Sequence, residues 1–212
     1  VLHARGQEYY ISMISRMMIY GIAACSLNLI LGFGGLVSFG HAAFVGIGAY
    51  AVGIMITEGV TSGWLNFAVA MGVSALAAAA IGAISLRTRG VYFIMITLAF
   101  AQMIYYLVNS IKAYGGDEGL NIKSRSNFGM GLDLKNDLTF YFVVLLVLVL
   151  TLVIISRMMK SRFGRVILAI RDDDTRVDAI GFPAYTYKWI LFIIAGTLGG
   201  LAGALMVNHQ NY

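Results

Sequence analysis

Two stretches hold residues whose types could do chemistry. "GFGGLVSFGHAAFVGIGAYAVG", from Gly32 to Gly53, sets Ser38 and His41 among seven glycines. "RDDDTRVDAIGFP", from Arg171 to Pro183, places three consecutive aspartates beside Thr175. A hydroxyl and an imidazole suggest nucleophilic catalysis, but no acid groups with them. A glycine-rich turn suggests a phosphate cradle, but no Lys-Ser/Thr follows "GFGG" and no strand precedes it. Three aspartates suggest a divalent metal, yet neighbours on a helix point in different directions. They fit a helix start better, because acids suit the positive end of the helix dipole. Gly181 followed by Pro183 is then a helix stop.

The elements that must position these residues follow from charge distribution. Hydrophobic residues make up 59% of the chain and charged residues 12%, against roughly 45–50% and 25% in soluble domains. The stretches Met17–Thr57, Gly59–Leu86, Gly90–Ile111, Leu138–Ser156 and Trp189–Tyr212 carry no formal charge. A bilayer core needs about 20 apolar helical residues, so the pattern predicts an all-α, polytopic transmembrane helical bundle. Six spans fit: Tyr10–Leu31, His41–Thr57, Leu65–Leu86, Val91–Ile111, Leu138–Ser156 and Trp189–Val207, the second being short. Gly32–Gly40 before it reads as a tight loop or a break at membrane depth. A single domain, 1–212, is the simplest organisation.

Orientation follows from Lys/Arg in the connections. The 157–188 connection carries seven Lys/Arg against four Asp, and the turn "RTRG" has two Arg and no acid, so both are expected in the cytoplasm. The connection Glu58–Gly63 has no Lys/Arg and the 112–138 connection is balanced, so both are expected outside. This alternation puts the N-terminus outside, and with the absent initiator Met it suggests a portion of a longer protein. The formal net charge of +5 is explained by juxtamembrane loops rather than by nucleic acid. Cys25 is a lone thiol inside a span, so it implies neither an intrachain disulfide nor a cysteine metal site.

Glycine inside a helix costs about 1 kcal/mol against alanine, so the Gly32–Gly53 cluster needs a reason. Small residues let helices approach closely in lipid, and clustered glycine also marks unwound backbone beside a wet cavity. Packing and a pathway role for Ser38 and His41 both stay open, the packing alternative pairing His41 with a backbone carbonyl. Polar residues in other spans are sparse, among them Ser26 and Asn28 in the first and Thr97, Gln102 and Asn109 in the fourth, with Tyr105 and Tyr106. Intramembrane polar groups face a bundle interior or a water path, which makes Asn28, Gln102 and Tyr105 candidates for solute contact or interhelical bonding. No Asp or Glu lies in a span, so a proton- or sodium-driven carrier would lack its usual carboxylate. No cofactor-binding or metal-ligand pattern is present.

The Arg165–Ile180 stretch predicts two short amphipathic helices, Gly164–Arg171 and Asp174–Ile180, with Val166, Ala169 and Ile170 on one face, then Val177 and Ile180. Exposed apolar residues there favour docking of a cytoplasmic partner. In the last span, Gly196-xxx-Gly200 and Gly199-xxx-Gly203 predict a close helix contact.

"SLNLILGFGGLVSFGHAAFVGIGAYA", "LRTRGVYFIMITLAFAQMI" and "AIRDDDTRVDAIGFPAYTYKWILFIIAGTLGGLAGAL" together resemble bacterial branched-chain amino-acid ABC importer permeases. A urea or short-chain amide branch of those permeases shares the pattern. The resemblance implies a multi-pass inner-membrane subunit that is not an enzyme. It implies a homologous second permease subunit, two cytoplasmic ATP-binding subunits and a periplasmic substrate-binding protein as partners. It further implies that Arg171–Gly181 is an ATPase-coupling segment, with Arg171, Asp172, Asp174, Arg176, Val177, Ala179, Ile180 and Gly181 as its candidates. The translocation path would pass near Asn28, Gly35, Ser38, Gly40, His41, Gln102 and Tyr105. An ATP-independent channel or facilitator is the alternative from another class, and would not need the cytoplasmic helix pair.

Overall fold

A computed structural model describes residues 2–60, 62–111 and 137–209. The expected extracytoplasmic loop, 112–138, lies almost wholly outside the described residues. Eight α-helices occur among those described: α1 Leu2–Asn28, α2 Ala42–Thr57, α3 Gly63–Ser85, α4 Val91–Ser110, α5 Asp137–Lys160, α6 Arg162–Asp172, α7 Asp174–Ala179 and α8 Ala184–His209. Five apolar stretches are long enough to cross a bilayer: Tyr10–Phe33, Gly63–Ser85, Val91–Ser110, Leu138–Lys160 and Ala184–His209. They coincide with five of the six expected spans. The remaining one is short, as expected: α2 has 16 residues, about 24 Å at 1.5 Å per residue, less than the roughly 30 Å hydrocarbon layer.

The reason lies in the glycines before it. After Asn28 the helix widens into a π-turn, Leu29–Phe33, held by Gly34 N–H to the Leu29 carbonyl (3.2 Å) and Leu36 N–H to Ile30 (3.1 Å). Gly35 then turns at φ +66°, a left-handed backbone that side chains resist. Residues 34–41 leave the helix, and α2 restarts at Ala42. Leu29 and Ile30 of the π-turn are fully buried; within the break Gly34, Ser38, Gly40 and His41 are buried, while Gly35, Val37 and Phe39 are exposed.

Helix α8 is the central post, with 67% of its apolar stretch buried against 11% for α4. It packs on α3, α2 and α1, with α5 on the outer side of α1. Its glycines make the close approach expected for them, within this one chain. Any Cβ on Gly196 would crowd Ala78, one on Gly200 would meet Ser74, and one on Gly203 would strike the Val45 carbonyl. Reciprocally, a Cβ on Gly48 of α2 would collide with the Gly200 carbonyl. The helix edges are pinned by Trp189 Nε1 donating to the Ala79 carbonyl (2.9 Å) and the Tyr185 hydroxyl donating to Ala83 (2.9 Å). Helix α4 lies at the rim, with Tyr92, Met95, Met103, Tyr106 and Leu107 exposed.

Candidate functional site

Helices α6 and α7 form the pair expected from the sequence, each within about two residues of its expected bounds. The Ser161 hydroxyl accepts from Gly164 N–H at 3.5 Å to start α6. Its inward face is Gly164, Ile167 and Ile170, which corrects the expected stripe. Ile170 faces in, but Ala169 is exposed and Val166 half-buried. An amphipathic helix with two adjacent apolar stripes can seat either one, and Ile167 buries more apolar area than Ala169 would.

The three aspartates diverge, each with its own duty. Asp172 is exposed, 3.7 Å from the Arg171 guanidinium. Asp173 caps α7, its Oδ1 accepting from the Thr175 hydroxyl (2.6 Å), Thr175 N–H (3.1 Å) and Arg176 N–H (3.2 Å). The Thr175 hydroxyl and then the Arg176 N–H hold its carboxyl below the usual aspartate range. Asp174 Oδ2 turns inward to Lys188 Nζ of α8 (3.1 Å) and Arg89 Nη2 of the α3–α4 turn (3.3 Å). Among the described residues no acid, His and Cys cluster is arranged to hold a metal.

Helix α7 stops as the Gly-Pro signal predicts. Gly181 sits at φ +96°, with Phe182 N–H bonded to the Val177 carbonyl (3.2 Å) and Gly181 N–H to Asp178 (3.0 Å). This is the paired 6→1 and 5→2 bonding of a Schellman end. Asp178, which sequence reasoning passed over, then accepts from Ala184 N–H at 2.8 Å and caps α8. An acid shortly before Pro183 and an apolar run was the signal available for it. Val177 is buried and Ile180 is 74% exposed. Ile180, Phe182, Val166, Phe163 and Tyr187 line an outward groove of about 630 Å³.

This pair is tied to the glycine break. Arg171 Nη1 donates to the Gly32 carbonyl at 2.9 Å, one of the orphan carbonyls that every helix end leaves. The aliphatic part of Arg171 lies against Gly35, where a Cβ would meet its Cγ at 2.6 Å. Gly35, Arg87, Arg89, Arg171, Asp174 and Lys188 share a cleft of about 700 Å³. The two basic connections, expected on one side of the bilayer, therefore meet at one end of the bundle. Arg176 pairs with Asp173 at 3.0 Å and is almost fully solvated, and Ala179 is exposed.

The expected path residues separate into three places. Gly35 belongs to the cleft just described. Ser38, Gly40 and His41 are buried in the break. Gln102 and Tyr105 line a groove of about 400 Å³ between α2 and α4 with Gly46, Tyr50 and Asn109. Asn28 is exposed and stands apart, its amide lying over Gly32. His41 does not pair with a backbone carbonyl: its Nε2 lies 2.8 Å from the Ser26 hydroxyl. That hydroxyl donates to the Ala23 carbonyl at 2.7 Å, so Nε2 is the donor to Ser26 and Nδ1 is left as a buried acceptor without a partner.

The chain is 30% identical over 218 residues to the high-affinity branched-chain amino acid transport system permease protein LivM of Salmonella typhimurium, covering 92% of this chain and 51% of the relative. It is 29% identical to the protein of the same name from Escherichia coli, with the same coverage. The chain thus spans about half the length of these relatives. No solved structure matches it. The sequence profile described as "Branched-chain amino acid transport system / permease component" matches residues 9–212, and the chain, a multi-pass helical membrane protein, belongs to that family.

Proposed function

We propose that this chain is the membrane-spanning part of an ATP-driven importer permease for branched-chain amino acids, with no active site of its own. It works with a homologous second permease subunit, two cytoplasmic ATP-hydrolysing subunits and a periplasmic solute-binding protein. One observation carries the reading. The α6–α7 pair offers an apolar groove around Ile180 outward and is bonded through Arg171 to the Gly32 carbonyl inward. A push on α7 is therefore delivered to the break that leads into α2. Asp172, Arg176, Ala179, Ile180 and Gly181 present the docking surface. Val177 and Asp174 hold α7 to the bundle.

The substrate class comes from the names of the relatives and is consistent with spans that hold no carboxylate. ATP, rather than an ion gradient, then drives the solute. The test is uptake into liposomes by the full-length permease assembled with its partners. Labelled leucine, isoleucine or valine enters only with ATP. Entry without ATP would point to a facilitator, and preferential entry of urea or a short amide would reassign the substrate.

A further inference from the structure

Three features fall in the same order along two facing walls. On the break and α2, Leu36 and Val37 line the charged cleft, Ser38 and Gly40 a small void, and Gly46 and Tyr50 the groove. On α4, Phe93 and Ile94 line the cleft, Thr97 and Ala101 the void, and Gln102, Tyr105 and Asn109 the groove. Ala43 and Ala101 belong to both void and groove, so the void is the closed inner end of the groove.

The walls touch at that point. A Cβ on Gly40 would collide with the Thr97 carbonyl, and the void beside it has no room for a water molecule. The Ser38 hydroxyl there is 4% exposed and has no hydrogen-bond partner. An unpaired buried hydroxyl costs about 1–3 kcal/mol, and alanine would fill the same place without that cost. A hydroxyl is explained if this dry contact is one of two states and water or solute reaches Ser38 in the other. Helix α4 is the wall more loosely packed within this chain, being the least buried of the described membrane-length helices.

We infer that the Gly40–Thr97 contact is the closed constriction of the solute route, opened when α4 separates from the break. This rests on the transport reading above and adds the place of closure. On opening, Ser38 and Thr97 join Gln102, Tyr50 and Asn109 along one continuous lining. That lining carries hydroxyl, phenol and amide groups and no charged side chain, which suits a net-neutral solute with an apolar body.

The experiment uses the full-length permease with its partners in liposomes, carrying Cys25→Ser and Ser38→Cys. A charged, membrane-impermeant thiosulfonate should label position 38 slowly at rest. During ATP turnover labelling should be more than about tenfold faster, since the rate follows the open fraction. Thr97→Cys gives the same readout should the Ser38 variant not assemble. Gly40→Ala should cut uptake by at least about tenfold, the closed contact being overpacked, while Gly72→Ala, which meets open space, transports at the parent level. Equal labelling with and without ATP, in vesicles that do take up solute, overturns the constriction and leaves the transport reading standing. Absence of ATP-driven uptake by the parent overturns both.

Discussion

Replacing Asp172 and Asp174 one at a time separates a docked coupling element from a merely charged loop. Asp174 and Lys188 are mostly buried, with side chains 21% and 17% exposed. A hydrogen bond to a charged group in such a place contributes about 1.5–3 kcal/mol. The Arg89 partner is 73% exposed, and solvent screening holds its share to below about 1 kcal/mol. Asn at position 174 keeps shape and a neutral acceptor, so Asp174→Asn should weaken α7 docking by about 2 kcal/mol, or roughly 30-fold in the local opening equilibrium. Asp172 is 76% exposed and 3.7 Å from Arg171. Asp172→Asn should cost no more than about 0.5 kcal/mol, roughly twofold. Native-state amide exchange over residues 174–188 reads both. High salt should shrink the Arg89 share and leave most of the difference, because buried pairs are screened least. Equal acceleration in the two variants, or a larger effect at 172, would refute the assignment of Asp174 as the anchor.

Gly48→Ala forces a methyl group into the Gly200 carbonyl and should destabilise the bundle by about 1–3 kcal/mol. Gly72→Ala, with nothing near it, should be neutral or stabilise by up to about 1 kcal/mol. Thermal unfolding in one detergent ranks the pair. Gly181→Ala puts a side chain at φ +96°, at about 1–2 kcal/mol, and amide exchange should show a frayed α7 with the membrane helices unchanged. The Asp173 carboxyl is held below its ordinary range by Thr175 and Arg176. Its contribution to α7 is complete above the unfolded-state value and fades only as pH falls through the lower folded-state one. A spin label at exposed Ala179 should stay immobile through the ordinary aspartate range and loosen beneath it, whereas loosening above that range would contradict the cap.

Much of the bundle was legible because lipid leaves few solutions: charge-free gaps of spanning length became helices α1, α3, α4, α5 and α8. Helix α7 was legible from Asp172–Asp174 with Thr175 at its start and from Gly181 followed by Pro183 at its stop, since caps are local in sequence. The glycine contacts of α8 were legible from spacing alone. Partners distant in sequence were not. Nothing local couples Asp174 to Arg89 and Lys188, or His41 to Ser26, and a π-turn has no periodicity to announce it. The inward stripe of α6 was misread because Val166–Ala169 and Ile167–Ile170 satisfy the same helical period, and only the surface beneath chooses. For the path residues the sequence offered polarity without position. The structure divided them between the cleft, the break and the α2–α4 groove, leaving Asn28 apart.

Photo-crosslinking from Ile180 in the assembled full-length transporter tests the central claim most directly. A crosslinker there should capture an ATP-hydrolysing subunit, and one at Trp64, exposed at the opposite end of the bundle, should capture none. If Ile180 instead reacts only with reagents supplied from outside the cell, the α6–α7 pair faces away from any such subunit and the coupling account is contradicted.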